Sequence, residues 1–283
     1  MAKKRIIKYH NDINEVAFKG LTATELDVLF AIFSLIKDKG EESQLVQFSE
    51  FRKMTGIKTA DKERVIEIID STYTKILSIV CRFEDDEDIY RFNVINNIRI
   101  AKNREYIEIE PNKQFVKYFN ELLKQYTIME LKDIVELNSK YSKNLYRLLI
   151  QFRSTGMAYY TVEQIRKGLD VPEAYDSKEM YKNCIKIAIK ELTEKEKIEN
   201  LTCTTIRDEK INGMPTKAYK FEFQAKDFNI IDGQLAFDVN DPSLQRLVEQ
   251  KNISTKKSKK NSFNNFSQRE YDWAELEKKL LSN

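Results

Sequence analysis

One predicted helix, Glu179 to about Lys195, places cationic and amide side chains opposite its apolar side chains. At about 100° of rotation per residue, the apolar arc consists of Tyr181, Cys184, Ile185, Ala188 and Leu192. The opposite arc consists of Lys182, Asn183, Lys186 and Lys190. Lysine can bind phosphate oxygens and guanine, and an asparagine amide can pair with N6 and N7 of adenine. The pattern predicts contact with DNA, and an ordinary solvated helix face is the alternative.

A predicted hairpin follows this helix and carries further positive charge. Its turn is Asn212-Gly213, a dipeptide that suits a type I′ turn. The basic residues on or beside the turn are Arg207, Lys210, Lys217 and Lys220. Such charges are useful on a wing that lies over the DNA backbone or the minor groove. A plain basic hairpin without a ligand is the alternative.

The sequence offers little for catalysis or metal binding. Its one histidine, His10, lies near an N-terminus that we expect to be flexible, and a His-x-His metal pair needs two. There is no G-x-x-x-x-G-K-[ST] phosphate loop and no G-x-G-x-x-G turn. The acidic run Glu84 to Asp88 predicts a solvated hairpin turn, with a metal site as the alternative. We therefore expect no catalytic residue, cofactor or metal, and a nicking enzyme is disfavoured.

The elements around the cationic helix have a recognisable order. From Tyr126 to Gln224 the sequence predicts a helical pair, a short helix, a turn, the longer helix and the hairpin. This is the order of a winged helix-turn-helix, whose second helix lies in the major groove of DNA. The sequence therefore predicts one such domain in this half of the chain.

The first third of the chain repeats the order more weakly. The predicted elements are helices at Thr22–Lys37, Ser49–Thr55 and Asp61–Leu77, and strands at Leu45–Phe48, Ile79–Phe83, Tyr90–Ile100 and Tyr106–Ile109. Thr22 or Thr24 would cap the first helix, and Ser49 and Gly56 would begin and end the second. Phe48 to Gly56 can be aligned with Tyr160 to Gly168, which predicts an internal duplication. A shared helix pattern without common origin is the alternative.

The first module is expected to bind DNA more weakly than the second. Lys58 and Lys62 are candidate phosphate contacts at the start of its third helix. The same helix also carries acidic side chains, and the acidic hairpin turn would repel phosphate. The hairpin Tyr90 to Ile109 could instead pair edge to edge with a copy of itself, which predicts a protein-binding surface.

Composition bounds the remaining classes. The 283 residues allow two domains, and 48 basic against 45 acidic residues give a net charge of only +3. Any DNA-binding surface must therefore come from local clustering of charge. No apolar run is long enough to span a membrane, and the basic N-terminus lacks a signal-peptide core. The scattered Cys81, Cys184 and Cys203 predict reduced thiols in a cytoplasmic protein.

Three segments carry a family resemblance: Leu137 to Leu149, Leu169 to Tyr175 and Ala188 to Leu192. Together they resemble the iteron-binding plasmid replication initiator (Rep) family. Leu137 to Leu149 resembles the family's L-x-S-K-Y-x-x-x-L-Y-x-L-L helix. Leu169 to Tyr175 and Ala188 to Leu192 resemble the turn and the reading helix that follow. The resemblance covers roughly residues 5 to 225. Ile187 departs from it, since relatives often carry proline there, and this helix is rich in lysine where relatives are often rich in arginine, so base contacts are not carried over.

The resemblance implies two tandem winged helix-turn-helix domains in an α+β, mainly helical chain. We place the first domain at residues 1–124, the second at 125–231, and a flexible tail at 232–283. It also implies that monomers bind double-stranded DNA at origin direct repeats and help to open it. Dimers formed through the first domain would bind an inverted repeat in the chain's own promoter and repress it.

The tail ends in a short amphipathic segment. Trp273, Leu276 and Leu280 fall on one face, and the segment resembles short C-terminal motifs of replication proteins from Gram-positive plasmids and phages. It implies docking on a host replication protein such as a helicase, loader or primase. A loosely ordered tail is the alternative.

These observations favour a non-enzymatic plasmid replication initiator that binds DNA sequence-specifically. A transcription regulator without a role at an origin is the first alternative. A protein-interaction scaffold is the second, and the cationic arc argues against it.

Overall fold

The computed structural model describes residues 4–59, 61–84, 88–101, 103, 105–120, 125–208 and 214–226, and the backbone of two short strands, Ile230–Ile231 and Gln234–Leu235. Helices and sheets occur in both halves, which confirms an α+β fold but not a mainly helical one. No helix in the described ranges is long and apolar enough to cross a membrane.

The first half begins with a strand, contrary to the expectation of a flexible N-terminus. Strand β1, Ile6–His10, pairs antiparallel with β7, Tyr126–Glu130. Ile7 and Tyr9 are fully buried, so the core holds this strand in place. A short 3-10 helix, Asn11–Glu15, follows it.

Helix α1, Ala23–Ile36, confirms the first predicted helix. Thr22 accepts a hydrogen bond from the Glu25 amide, and Glu25 accepts one from the Thr22 amide, which forms a capping box. The predicted apolar positions are all fully buried: Leu26, Leu29, Phe30, Phe33 and Ile36. The 3.6-residue period therefore places α1 at the centre of the first core.

The first helix-turn-helix consists of α2, Phe48–Met54, and α3, Lys62–Ser78, after strand β2, Gln44–Gln47. Asp61 caps α3 by accepting from the Glu63 amide. Ser49 is not the cap of α2: that position is Gln47, because the strand runs directly into the helix. Gly56 follows the C-cap of α2 with a φ of 63°, and a Cβ at this position would lie 2.5 Å from Val135 Cγ1.

The strands of the first half correct one prediction. The predicted strand Tyr90–Ile100 is two strands, β4, Ile89–Asn93, and β5, Ile95–Ile100, with the buried Val94 between them. Strand β4 pairs with β3, Val80–Glu84, whereas β5 joins β6, Tyr106–Pro111, in the sheet β2-β6-β5. Glu84 of β3 pairs with Ile89 of β4, and residues 85–87 of the acidic run, for which a solvated turn was predicted, lie outside the described ranges.

After β6 the chain forms a short helix α4, Lys113–Val116. Strand β7, helix α5, Leu131–Val135, and helix α6, Lys140–Ile150, follow it. The predicted helical pair is therefore α5 and α6, and β7 was missed. Strand β8, Met157–Thr161, then forms the sheet β8-β10-β9 with β9, Thr202–Arg207, and β10, Thr216–Glu222. Helix α7, Val162–Leu169, follows β8. A run of three helical segments comes next: Ser177–Met180 (α8), Tyr181–Ile185 (a π-helical turn) and Lys186–Glu194 (α9).

Buried charges join helix α6 to α1 and to the segment that precedes α1. Lys143 is fully buried and donates to the Asp27 carboxylate of α1 and to Ile134 O. Arg147, also fully buried, donates to Ile13 O, Asn14 O and Val16 O at 3.3, 3.2 and 3.0 Å. Its guanidinium lies 4.5 Å from the centre of the Phe18 ring. These contacts couple the first 30 residues to α6.

Candidate nucleic-acid interface

The run 177–194 is one continuous helix, named helix 177–194 below, and it presents the predicted cationic face to solvent. Lys182, Lys186 and Lys190 are exposed and Asn183 is half-buried. On the opposite side Cys184, Ile185, Ala188 and Leu192 are buried and Tyr181 is half-buried. Lys190 lies 3.7 Å from Glu194. Among the described residues Lys182 and Lys186 make no ion pair, so their charges are available to a polyanion.

Helix 177–194 begins two residues before the predicted start and contains a π-helical turn. Asp176 caps it: Asp176 Oδ1 accepts from the Glu179 amide at 2.7 Å and Glu179 Oε2 from the Asp176 amide at 3.0 Å. The Lys186 amide donates to Tyr181 O, five residues back, instead of Lys182 O. A uniform rotation of 100° per residue is therefore wrong across residues 181–185.

The loop between α7 and helix 177–194 is fixed by side-chain donors. Arg166 donates to Pro172 O at 3.0 Å and to Tyr175 O at 2.6 Å. Lys140 donates to the carboxylate and the carbonyl of Asp170, which has a left-handed φ of 53°. A Cβ at Gly168 would lie 2.7 Å from Leu148, so glycine lets α7 approach α6 closely. The loop thus gives helix 177–194 a defined direction.

Asp170 also connects this loop to the first half of the chain. Its Oδ2 accepts from the Gly20 amide at 3.1 Å. Lys19 lies 3.8 Å from Glu173, with both side chains largely exposed. The helix-turn-helix of the second half therefore has a direct contact with the segment that precedes α1.

Glu191 attaches helix 177–194 to the start of α6. Its oxygens accept from the Asn138 and Ser139 amides at 2.6 and 3.1 Å, and Lys195 lies 2.7 Å from Oε1. Burial opposes ionisation of this carboxyl, but the Lys195 ammonium and the two amides outweigh it and lower its pKa to about 2. The ionised side chain therefore stabilises the packing of helix 177–194 on α6.

We expect the variant Glu191→Gln to have a free energy of unfolding about 1 to 2 kcal/mol lower than the wild type at pH 7, after allowance for solvent screening. The folded pKa lies below the ordinary value of 4.5. The stabilisation of the fold by the ionised Glu191 carboxylate is therefore complete above pH 4.5 and is lost as the pH falls towards 2. The difference in unfolding free energy between the two proteins should shrink at pH 3. Urea unfolding at pH 7, 4.5 and 3 measures it.

Glu194→Gln is the matched control, because Glu194 lies on the same helix with a 63% exposed side chain. Its effect on the free energy of unfolding should stay below about 0.5 kcal/mol. A difference between Glu191→Gln and wild type that is equal at pH 7 and pH 3 would contradict the role given to the ionised carboxylate.

The wing keeps only part of its predicted charge within reach of a ligand. Arg207 is exposed at the end of β9, opposite Thr216, and the Asp208 amide donates to Pro215 O across the hairpin. Lys217 is half-buried. Lys220 lies 3.0 Å from Glu222 and over the Tyr159 ring, so its charge is partly neutralised. Lys210 and the Asn212-Gly213 turn lie outside the described ranges.

The first module presents fewer free cations. Lys58 lies in the loop before α3 and Lys62 is its first residue; both are exposed and make no ion pair with the described residues. Arg64 pairs with Glu67 at 2.8 Å and so adds no net charge to the face. No group of three or more His, Cys, Asp or Glu in the described ranges could hold a metal ion.

The sequence did not reveal the residues that position this interface. Arg166 and Glu191 were not singled out, because Arg166 contacts backbone carbonyls and the amides that bind Glu191 lie more than 50 residues away. The capping-box spacing of Asp176 and Glu179 was a usable signal for the true start of the helix. The proposed partner-binding residues Trp273, Leu276 and Leu280 lie outside the described ranges.

Comparisons with known proteins agree on one family. The model described as "Initiator Replication protein, WH1" matches residues 6–150, and "Initiator Rep protein, WH2" matches residues 161–223. The chain is 28% identical over 190 residues to the "Probable replication protein rep" of Bifidobacterium longum (strain NCC 2705). That match covers 67% of this chain and 63% of the relative, so the chain spans less than two thirds of the relative's length.

A solved structure shares the fold. The crystal structure of the Pi initiator protein in complex with iteron DNA superposes with a TM-score of 0.64 at 16% identity, over 80% of this chain and 100% of that one. Both halves therefore have the winged-helix fold. Since the first model alone spans more than half of the 283 residues, this chain belongs to the Initiator Replication protein family, with a WH1 domain followed by a WH2 domain.

Proposed function

We propose that this chain initiates plasmid replication by binding repeated double-stranded DNA at an origin, promoting strand separation and recruiting host replication proteins. The observation that carries the proposal is the solvent-facing set of lysines on helix 177–194, the second helix of a helix-turn-helix. That position places a helix in the major groove. The names of the relatives support the proposal, since one is a probable replication protein and another was crystallised on iteron DNA.

The two domains have different roles in this proposal. The second domain, residues 125–231, supplies the main DNA contact, and the first, residues 1–124, adds Lys58 and Lys62 and forms dimers that repress the chain's own promoter. The neutralised Arg64 supports the weaker DNA contact. Leu45, Val80 and Ile89 are 67%, 55% and 57% exposed on the first domain, which supports a protein-binding surface there.

The chain acts by binding and not by catalysis in this proposal, and it works in the cytoplasm. Several copies on adjacent repeats would bend the duplex and favour opening. The tail, residues 232–283, docks on a host helicase, loader or primase through Trp273, Leu276 and Leu280. Truncation after Ile231 should abolish replication but leave DNA binding intact, and normal copy number with the truncated chain would refute the tail's role.

The test is footprinting of the purified chain on the DNA that flanks its gene. We expect regular protected direct repeats of about 20 base pairs, about two turns of duplex for two tandem domains. A fragment that carries these repeats should replicate in a host only when the chain is supplied. Protection of a promoter alone, without such replication, would favour a transcription regulator, and binding without sequence preference would favour a scaffold.

A further inference from the structure

Helix 177–194 carries a row of lysines spaced by four residues, named the lysine row below: Lys178, Lys182, Lys186 and Lys190. All four are exposed. In an uninterrupted α-helix a step of four residues turns about 40° past a full rotation, so Lys190 would point about 120° away from Lys178. Such a row would wind around the helix, and Lys178 would leave the face that the other three share.

The π-helical turn at Tyr181–Ile185 removes this drift. The hydrogen bond from the Lys186 amide to Tyr181 O encloses one residue more than an α-helical turn. The twelve steps from Lys178 to Lys190 therefore rotate by only about as much as eleven α-helical steps. Lys178 and Lys190 then point in directions about 20° apart. Neighbouring lysines of the row are about 6 Å apart along the helix axis.

A second row on the same helix supports this alignment. The side chains of Met180, Cys184, Ala188 and Leu192 are also spaced by four, and all are fully buried. A straight α-helix would spread these four around about 120°, whereas here each one reaches the core. The lysine row is displaced by two residues from this buried row and so lies along the solvent side.

Side-chain contacts hold the π-helical turn in place. The Tyr181 ring stacks on Tyr219 of the wing strand β10, with centroids 6.3 Å apart and planes at 13°. Cys184, in the same turn, is fully buried in the core. The Asp176–Glu179 capping box fixes where the helix begins, and so fixes Lys178 as its second residue.

We propose that Lys178 is a further DNA-contacting residue, brought into line with Lys182, Lys186 and Lys190 by the π-helical turn. The ligand is the phosphate backbone that borders the major groove, and each ammonium contributes one charge-assisted contact. Among the described residues Lys178 makes no ion pair. This inference rests on the proposed function. It adds to the DNA-binding face a residue that the sequence pattern did not place on the cationic arc.

The experiment measures binding of single variants to a duplex cut from the footprinted DNA that flanks the gene, at several salt concentrations. Lys178→Ala should raise Kd about 5- to 10-fold and lower the salt slope by about one, and Lys182→Ala should do the same. Lys178→Arg should retain the wild-type salt slope. Lys39→Ala, which removes an exposed lysine of the first domain, is the charge-matched control and should bind like wild type.

Glu179→Gln tests the alignment itself. Without the π-helical turn Glu179, eleven residues before Lys190, would lie in line with the row, and removing its charge would tighten binding. With the turn it lies about 80° from Lys190 and about 100° from Lys178. Glutamine, which also serves in a capping box, should therefore leave Kd within about twofold. Unchanged binding by Lys178→Ala, or tighter binding by Glu179→Gln, would overturn this inference and leave the proposed function standing. A wild-type chain without specific binding would instead refute the proposed function.

Discussion

Replacing Lys143 by methionine is expected to lower the free energy of unfolding by about 3 to 5 kcal/mol. Lys143 has a fully buried side chain and pairs with Asp27, whose side chain is 10% exposed. Burial raises the pKa of Asp27 to about 7 even with the Lys143 ammonium beside it. Without that ammonium the carboxylate loses its counter-charge and Ile134 O loses its donor. Chemical denaturation at pH 7 measures the loss.

The pH dependence of the Lys143→Met variant gives a second readout. Asp27 then has a folded pKa above its ordinary value of 3.8, so the folded state favours the protonated carboxyl. The stabilisation that the variant gains by protonating Asp27 is complete below pH 3.8 and is lost as the pH rises through the folded pKa. The deficit of the variant relative to wild type should therefore be smaller at pH 4 than at pH 8.

Two further variants keep this prediction sharp. Asp27→Leu combined with Lys143→Met replaces the pair by apolar side chains and should be less destabilised than Lys143→Met alone. Lys132→Met removes a 74% exposed lysine of α5, paired at 3.6 Å with Glu136, and should cost less than about 1 kcal/mol. If Lys143→Met unfolds like Lys132→Met, the buried pair does not hold α1 and α6 together.

The sequence predicted those parts of the fold that depend on local pattern. Helix α1 follows from the period of Leu26, Leu29, Phe30, Phe33 and Ile36, and the cap at Thr22 follows from its spacing to Glu25. Strands β1 and β7 were missed because each is five residues long and pairs with a segment about 120 residues away. A short strand with a distant partner leaves no local period that distinguishes it from a helix.

Long-range pairing also explains why the buried charges were not predicted. Lys143 and Arg147 lie in the segment that resembles the replication initiators, but their partners, Asp27 and the carbonyls of residues 13–16, precede them by more than 100 residues. A charged residue within an amphipathic helix is ordinarily solvated, so a pattern alone assigns it to the surface. Only the three-dimensional contacts show that these two side chains connect α6 to the first 30 residues of the chain.

The candidate site was predicted in outline and corrected in detail. The exposure of Lys182, Lys186 and Lys190 follows from helical periodicity, while their contact with DNA stays a prediction. The π-helical turn could have been suspected, because Met180, Cys184, Ala188 and Leu192 repeat every four residues. The sequence analysis assumed a uniform rotation of 100° per residue, which takes no account of this four-residue repeat. That assumption left Lys178 outside the cationic face of helix 177–194.

The double variant Lys182→Ala/Lys186→Ala is expected to bind the footprinted duplex about 30- to 150-fold more weakly than wild type, at about 1 to 1.5 kcal/mol per lost contact. Both lysines are exposed without an ion pair in the described ranges, so alanine removes charge from the DNA face and leaves the buried face of helix 177–194 unaltered. The unfolding midpoint should stay unchanged, and the salt slope should fall by about two. Gel-shift titration at several salt concentrations, beside thermal unfolding, separates lost contact from lost structure. Wild-type affinity in this variant would mean that another surface reads the DNA, because no interface centred on helix 177–194 could lose both central charges without a change in Kd.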